Sequence, residues 1–176
     1  MIASSRTKVL GLTVLMFSFV LVGCPYQSQV PIDQASLPID TRLLGVWRED
    51  SATAFMVYTI EPQGDFEYAV RSEGDSGMNQ YQAYLTPLGN HWFLNLKNSD
   101  ENSTERYSLF RLEIGDDGAS VTLFPVTENI LEKFTRSSDL REFFEKYQDL
   151  SFFYEKPTRY VHPQSVPEQN LDQTTS

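Results

Sequence analysis

From Gly45 to Phe124 the chain repeatedly alternates apolar and polar residues with a period of two. Phe66, Tyr68 and Val70 interleave with Asp65, Glu67, Ala69 and Arg71, the pattern of a strand that buries one face. Comparable runs occupy 45 to 49, 54 to 60, 80 to 86, 91 to 97, 106 to 114 and 119 to 124. Turn chemistry separates them at Pro62-Gln63-Gly64, Ser72 to Gly77, Pro87 to Asn90, Asn98 to Ser103, and Gly115-Asp116-Asp117-Gly118. Links this short join antiparallel neighbours, because a parallel crossover takes about a dozen residues or more. The pattern predicts a mainly β domain: an antiparallel up-and-down meander of about 7-8 strands that curls into a barrel and so removes its exposed edges.

After Pro125 the period changes. Leu140, Phe143, Phe144 and Tyr147 share one helical face, Ser138 and Asp139 are good capping residues, and Glu142 follows Asp139 at capping-box spacing. This predicts one amphipathic helix near the C-terminus, whose aromatic stripe docks on a sheet or plugs the open end of a barrel. Residues 151 to 154 and 158 to 162 supply a last strand, with Pro157 as a break. The resulting domain runs from 41 to 162. Residues 163 to 176 are polar and aperiodic, which predicts a disordered tail. Residues 24 to 40 contain Pro25, Pro31 and Pro38 without an apolar period, and they read as a flexible tether of about 20 to 24 Å.

The start of the chain differs from all of this. Arg6 and Lys8 precede an apolar run from 9 to 23, the layout of a secretory signal, and the run is shorter than the roughly 20 residues that span a bilayer. Leu21-Val22-Gly23-Cys24 resembles the bacterial lipobox, where signal peptidase II cuts ahead of the cysteine. The resemblance implies a signal peptide over 1-23 and a Cys24 carrying a diacylglyceryl thioether and an N-acyl chain such as palmitate. Two or three acyl chains hold a protein stably on a membrane, where one does not. Pro25 is not the aspartate that resembles an inner-membrane retention signal, so the address implied is the cell envelope, and the outer membrane in a diderm host.

Charge and cysteine content narrow the partners. Without residues 1 to 23 the chain has 12 basic and 24 acidic residues, a net charge of -12, which repels nucleic acid and anionic headgroups. Cys24 is the only cysteine, so the domain has no disulfide and no thiol nucleophile.

Catalytic patterns fail on inspection. Gly74-Asp75-Ser76-Gly77 resembles the nucleophile region of trypsin-like proteases, but the upstream histidine base is missing, since His91 and His162 are the only histidines. Those two have no ligand-spaced partner, and Asp116-Asp117 lacks the alternating oxygens of a calcium loop, so neither a metal nor another cofactor is expected. Asn102-Ser103-Thr104 matches a glycosylation sequon and reads as a loop. Glu49 and Asp50 are adjacent and point to opposite sides of an extended chain. Aromatic residues are what remain. Tyr58, Tyr68, Trp92, Phe93, Tyr107 and Phe110 line either a barrel interior or its outer face, with Arg71 or Arg111 at a rim.

Gly45-Val46-Trp47, after Leu43-Leu44 and opening the first strand, resembles the Gly-Xaa-Trp signature of lipocalins and other calycins. In that family the tryptophan packs across the closed end of an eight-stranded barrel and the other end holds a small apolar ligand. The resemblance implies that Arg159 lies over Trp47, although the Thr-Asp-Tyr loop motif of many lipocalins is absent here. Together with the lipobox and the ending Asp139 to Tyr147, the chain resembles bacterial lipoproteins with lipocalin-like barrels. The expected function is non-enzymatic: a membrane-anchored lipoprotein binding a small apolar ligand against Trp47, Tyr58, Tyr68, Trp92 and Arg159. The alternative is an envelope assembly lipoprotein that meets a protein partner through its acidic surface or its helix.

Overall fold

The computed structural model describes residues 26–53, 56–74, 77–99 and 106–163. The leader, Cys24, Ser76 and the tail after Pro163 lie outside these residues. The elements are β1 (Gln27–Ser28), β2 (Gly45–Glu49), β3 (Val57–Gln63), β4 (Glu67–Gly74), β5 (Gly77–Leu88), β6 (His91–Asn98), β7 (Tyr107–Ile114), β8 (Ser120–Pro125), α1 (Ser137–Tyr147) and β9 (Thr158–Val161). Strands β2 to β9 each pair antiparallel with their sequence neighbours. The ring closes where β9 meets β2 at Arg48 opposite Val161 and Glu49 opposite Tyr160. The result is a closed eight-stranded antiparallel meander, as the alternation predicts, with β1 as one extra strand added to β7.

Alternation sorts the side chains into two cores, because successive residues of a strand face opposite sides. The inner core holds Leu43, Trp47, Tyr68, Ala83, Leu85, Leu112 and Val121. The outer core lies between the backs of β5 to β7 and the helix, and contains Leu88, Phe93, Leu109, Leu140, Phe144 and Phe153. The aromatic stripe of α1 therefore docks on the outside of the barrel, with Phe144 edge-on to Phe93 at 5.3 Å between centroids. The helix begins at Ser137, one residue before the predicted cap. Its N-cap is Arg136, which makes no side-chain cap; the Arg136 Nε instead donates to Asp139 Oδ2 at 2.9 Å, spanning the first turn. Residues 151–153 form a 3-10 turn that precedes a single bridge from Tyr154 to Val126, so β9 alone is the last strand.

Residues 26–40 depart from the tether expectation. Tyr26 is 3% and Ile32 0% exposed, and both belong to the outer core. The Tyr26 amide donates to Val126 O at 2.9 Å and its phenol donates to Glu132 O at 2.9 Å. Buried Asn95 holds the segment further along: its Oδ1 accepts from the Ile32 amide at 2.9 Å while its Nδ2 donates to Thr86 Oγ1 at 3.0 Å. Tyr84 donates to Asp33 O at 2.8 Å, and Arg141 reaches Asp33 from the helix at 2.9 Å. Pro31, Pro38 and the lack of an apolar period fit a strap that follows the barrel surface, since a strap needs only scattered anchors.

Asn95→Ala leaves the buried Ile32 amide without an acceptor, which costs about 1–3 kcal/mol. Phe144→Ala opens a hole in the outer core and costs about 3–5 kcal/mol. Urea unfolding of both variants checks the order, and the strap assignment fails if Asn95→Ala leaves the midpoint where it was.

Candidate ligand-binding cavity

The inner core does not fill the barrel. A cavity of about 290 Å³ runs along its axis. Rings of Trp47, Tyr58, Tyr68, Tyr81, Phe110 and Tyr160 line it together with aliphatic side chains from Leu43, Ile60, Val70, Leu94, Leu96 and Leu112. No charged residue is among the lining side chains. A site of this composition binds by excluding water from apolar surface and orients its guest through a few hydroxyls.

One end is closed by the 3-10 turn Thr41–Leu43, and two of the lining aromatics fasten that floor. Trp47 Nε1 donates to Leu43 O at 2.9 Å, and the Asp40 amide donates to the Tyr68 hydroxyl at 2.6 Å. Asp40 caps the turn, and its hydrogen bond from Arg42 holds its carboxyl below the usual carboxylate range. Gly45 starts β2 with φ 112°, a left-handed conformation that only glycine adopts freely, and a Cβ there would lie 3.4 Å from the His162 ring. That ring covers Trp47, with 3.8 Å between centroids. His162 Nδ1 lies 2.8 Å from Val46 O, and since a carbonyl only accepts, Nδ1 carries the proton.

The opposite end, where β3, β5, β7 and β9 begin, carries most of the lining hydroxyls. Tyr58 and Tyr160 meet edge to face at 5.4 Å and share a hydrogen bond. Tyr81 and Ser108 stand near the same end in β5 and β7. Ser72, opposite Tyr58 in the sheet, is 1% exposed, and its hydroxyl has no partner among the described residues. Such a group costs about 1–3 kcal/mol when left unsatisfied. Burial raises the phenols of Tyr58, Tyr68 and Tyr160 above their usual range.

Of the residues the sequence nominates, Trp47, Tyr58 and Tyr68 line the cavity and Phe110 joins them. Trp92 does not. It sits one residue into β6 beside the Gly89-Asn90 turn, past the lined stretch of the strand, and is 41% exposed. Arg159 does not either: it neighbours inward-facing Tyr160, so alternation turns it outward, where it pairs with Asp50 at 3.7 Å. His162 occupies the place over Trp47 that the resemblance gave to Arg159. Arg71 faces out toward Glu61, and Arg111 lies outside between the rings of Phe124 and Tyr154, paired with Glu113 at 3.1 Å. Phe93 and Tyr107 belong to the outer core. Tyr81 and Tyr160 were missed, and the same alternation that marks Ala83 and Leu85 as inward also marks Tyr81.

Among the described residues no cluster of three histidine, cysteine or acidic side chains suits a metal ion. No described helix is long and apolar enough to cross a membrane. No protein-family model matches the chain, and neither does any curated protein or solved structure. Fold and site together define a class: a closed eight-stranded antiparallel barrel with a helix and a strap on its outside and an uncharged cavity within.

Phenols raised above the ordinary 10.0 stay neutral in the folded barrel while the same groups ionise in the unfolded chain. Their contribution to stability is complete below pH 10.0 and is lost as pH rises through the raised values, Tyr154 being pushed up to about 12 by burial. Urea midpoints should hold steady up to about pH 10 and fall as pH rises beyond it. Tyr160→Phe should blunt the fall, and an identical alkaline slope in that variant would count against a buried Tyr160.

Proposed function

We propose that this protein is a bacterial envelope lipoprotein, anchored through acyl chains on Cys24, whose barrel binds a small neutral amphiphile. The observation that carries the reading is the uncharged cavity of about 290 Å³ with the hydroxyls of Tyr58, Tyr81, Ser108 and Tyr160 toward one end and only that of Tyr68 at the floor. At about 30 Å³ per heavy atom, the share of one liquid-packed water, this space takes on the order of ten. A short acyl or aromatic body fits against Leu94, Leu96, Val70 and Ile60, and its polar end meets Tyr58, Tyr160 and Tyr81. An ionised head group at that depth would find no countercharge, so alcohols, esters and amides are favoured over carboxylates.

The Gly45 and Trp47 signature and the closed floor support a calycin-like mode of binding, and the lipobox supports the envelope address, the outer membrane in a diderm host. The rival reading, in which the helix recruits a protein partner, is weakened by the helix itself. Leu140 and Phe144, the centre of its apolar face, are already buried against the barrel.

Full-length protein released from host membranes in mild detergent should carry a small molecule in native mass spectrometry, lost on denaturation. With the purified protein, 1-decanol should bind more tightly than decanoate in a calorimetric titration at neutral pH. Ala83→Phe, placing a ring in the cavity, should abolish that binding while the circular dichroism spectrum stays unchanged. Unaltered decanol affinity in a folded Ala83→Phe variant would sink the internal site.

A further inference from the structure

The strap has a consequence for how the molecule sits on its membrane. Cys24 is two residues from Tyr26, and two residues span at most about 7 Å. Tyr26 is fixed to the body by its amide bond to Val126 and its phenol bond to Glu132. An acylated Cys24 therefore has no tether, and whatever face surrounds Tyr26 lies against the bilayer.

That face is apolar where it protrudes. Leu131, next to Glu132, is 85% exposed, and Phe152 is 74% exposed. Phe152 lines one shallow groove of about 230 Å³ together with Ile130, Glu132, Phe143, Tyr147 and Phe153, and Leu131 stands in the chain between two of its lining residues. Exposed large apolar side chains grouped in this way mark an interaction surface. Aromatic and leucine side chains seat at the level of lipid headgroups and upper acyl chains. The net charge of -12 left without residues 1 to 23 does not draw the rest of the molecule to an anionic leaflet, so apolar insertion at this one face sets the orientation.

We infer that Leu131 and Phe152 insert into the bilayer that holds the Cys24 acyl chains, docking the barrel rigidly with its tyrosine end toward the lipid. The end assignment follows from register. Strand β1, one residue past Tyr26, pairs with Tyr107 and Ser108 at the start of β7, and Ser108 lines the cavity. The hydroxyl-bearing end of the neutral amphiphile site thus lies on the membrane side of the domain. This inference rests on the lipidation of Cys24 proposed above.

The test uses the natural absence of any other cysteine. Full-length Leu131→Cys, Phe152→Cys and, at the opposite barrel end, exposed Asp116→Cys are purified from a bacterial host. Each is labelled with an environment-sensitive dye and reconstituted in phosphatidylcholine vesicles carrying a headgroup-level quencher. Intact mass reports the acyl chains, and an acylated Cys24 takes no dye. With acylation confirmed, the dyes at 131 and 152 should lose most of their emission and the dye at 116 should keep it. Acylated protein with all three dyes equally bright overturns the docking face and leaves the anchor standing. A Cys24 that takes up dye and shows no acyl mass overturns the anchor itself, and the docking with it.

Discussion

Everything in this fold depends on four residues closing a ring. Thr158 to Val161 pairs on one side with Ser120 to Leu123 and on the other with Arg48 and Glu49, and without it the meander would be an open sheet with two bare edges. A strand so short contributes few hydrogen bonds, so its hold is reinforced by packing. Tyr160 turns inward onto Tyr58, and His162, just beyond the strand, lies over Trp47. Closure, the floor of the cavity and the tyrosine cluster are therefore one cooperative arrangement. Loosening any of them loosens the seam.

Closure also explains why the protein has two cores and why only one is filled. Eight strands give an interior just wide enough for side chains to fill it or for one small ligand. Here Ala83 and Ser108 face inward among larger residues and leave space. Outside, the long strands β5 to β7 also carry apolar residues on their outer face, with Phe93, Leu109 and Leu88 packed in one cluster with Phe144 and Ile32. The helix and the strap satisfy that outer face with close aromatic contacts. Rigidity comes from the outside layer, which lets the interior remain incompletely packed.

The strands, the helix and the floor tryptophan were legible in the sequence because each leaves a periodic or positional mark: period two in Tyr68 and Val70, helical spacing in Leu140 and Phe144, a glycine before Trp47. Three features left no such mark. The strap is held by separated anchors, Tyr26, Ile32 and the amide of Asn95, and no local window shows that they belong together. Trp92 keeps the strand period but stands where the lined stretch ends, and period says nothing about where an end falls. Arg159 and His162 are three residues apart, and which of them covers Trp47 is decided by the register of β9 on β2, a long-range fact. The cavity was legible only as a choice between a filled and a hollow barrel, because the same aromatic residues serve either.

The strap changes the meaning of the amino-terminal segment. A flexible linker would separate anchor from domain and let the barrel sample all orientations above a membrane. A segment anchored at Tyr26 and Ile32 instead fixes the geometry, since the outer core that stabilises the barrel is the same packing that holds Tyr26, two residues after Cys24. Stability and orientation are then coupled. Burying Tyr26 and Ile32 stabilises the outer core, and under the anchoring proposed for Cys24 it would also bring the hydroxyl-bearing end of the cavity toward the membrane. An uncharged site of this kind exchanges its guest most readily with a medium that already dissolves it. A barrel docked as proposed would not need to pass that guest through water.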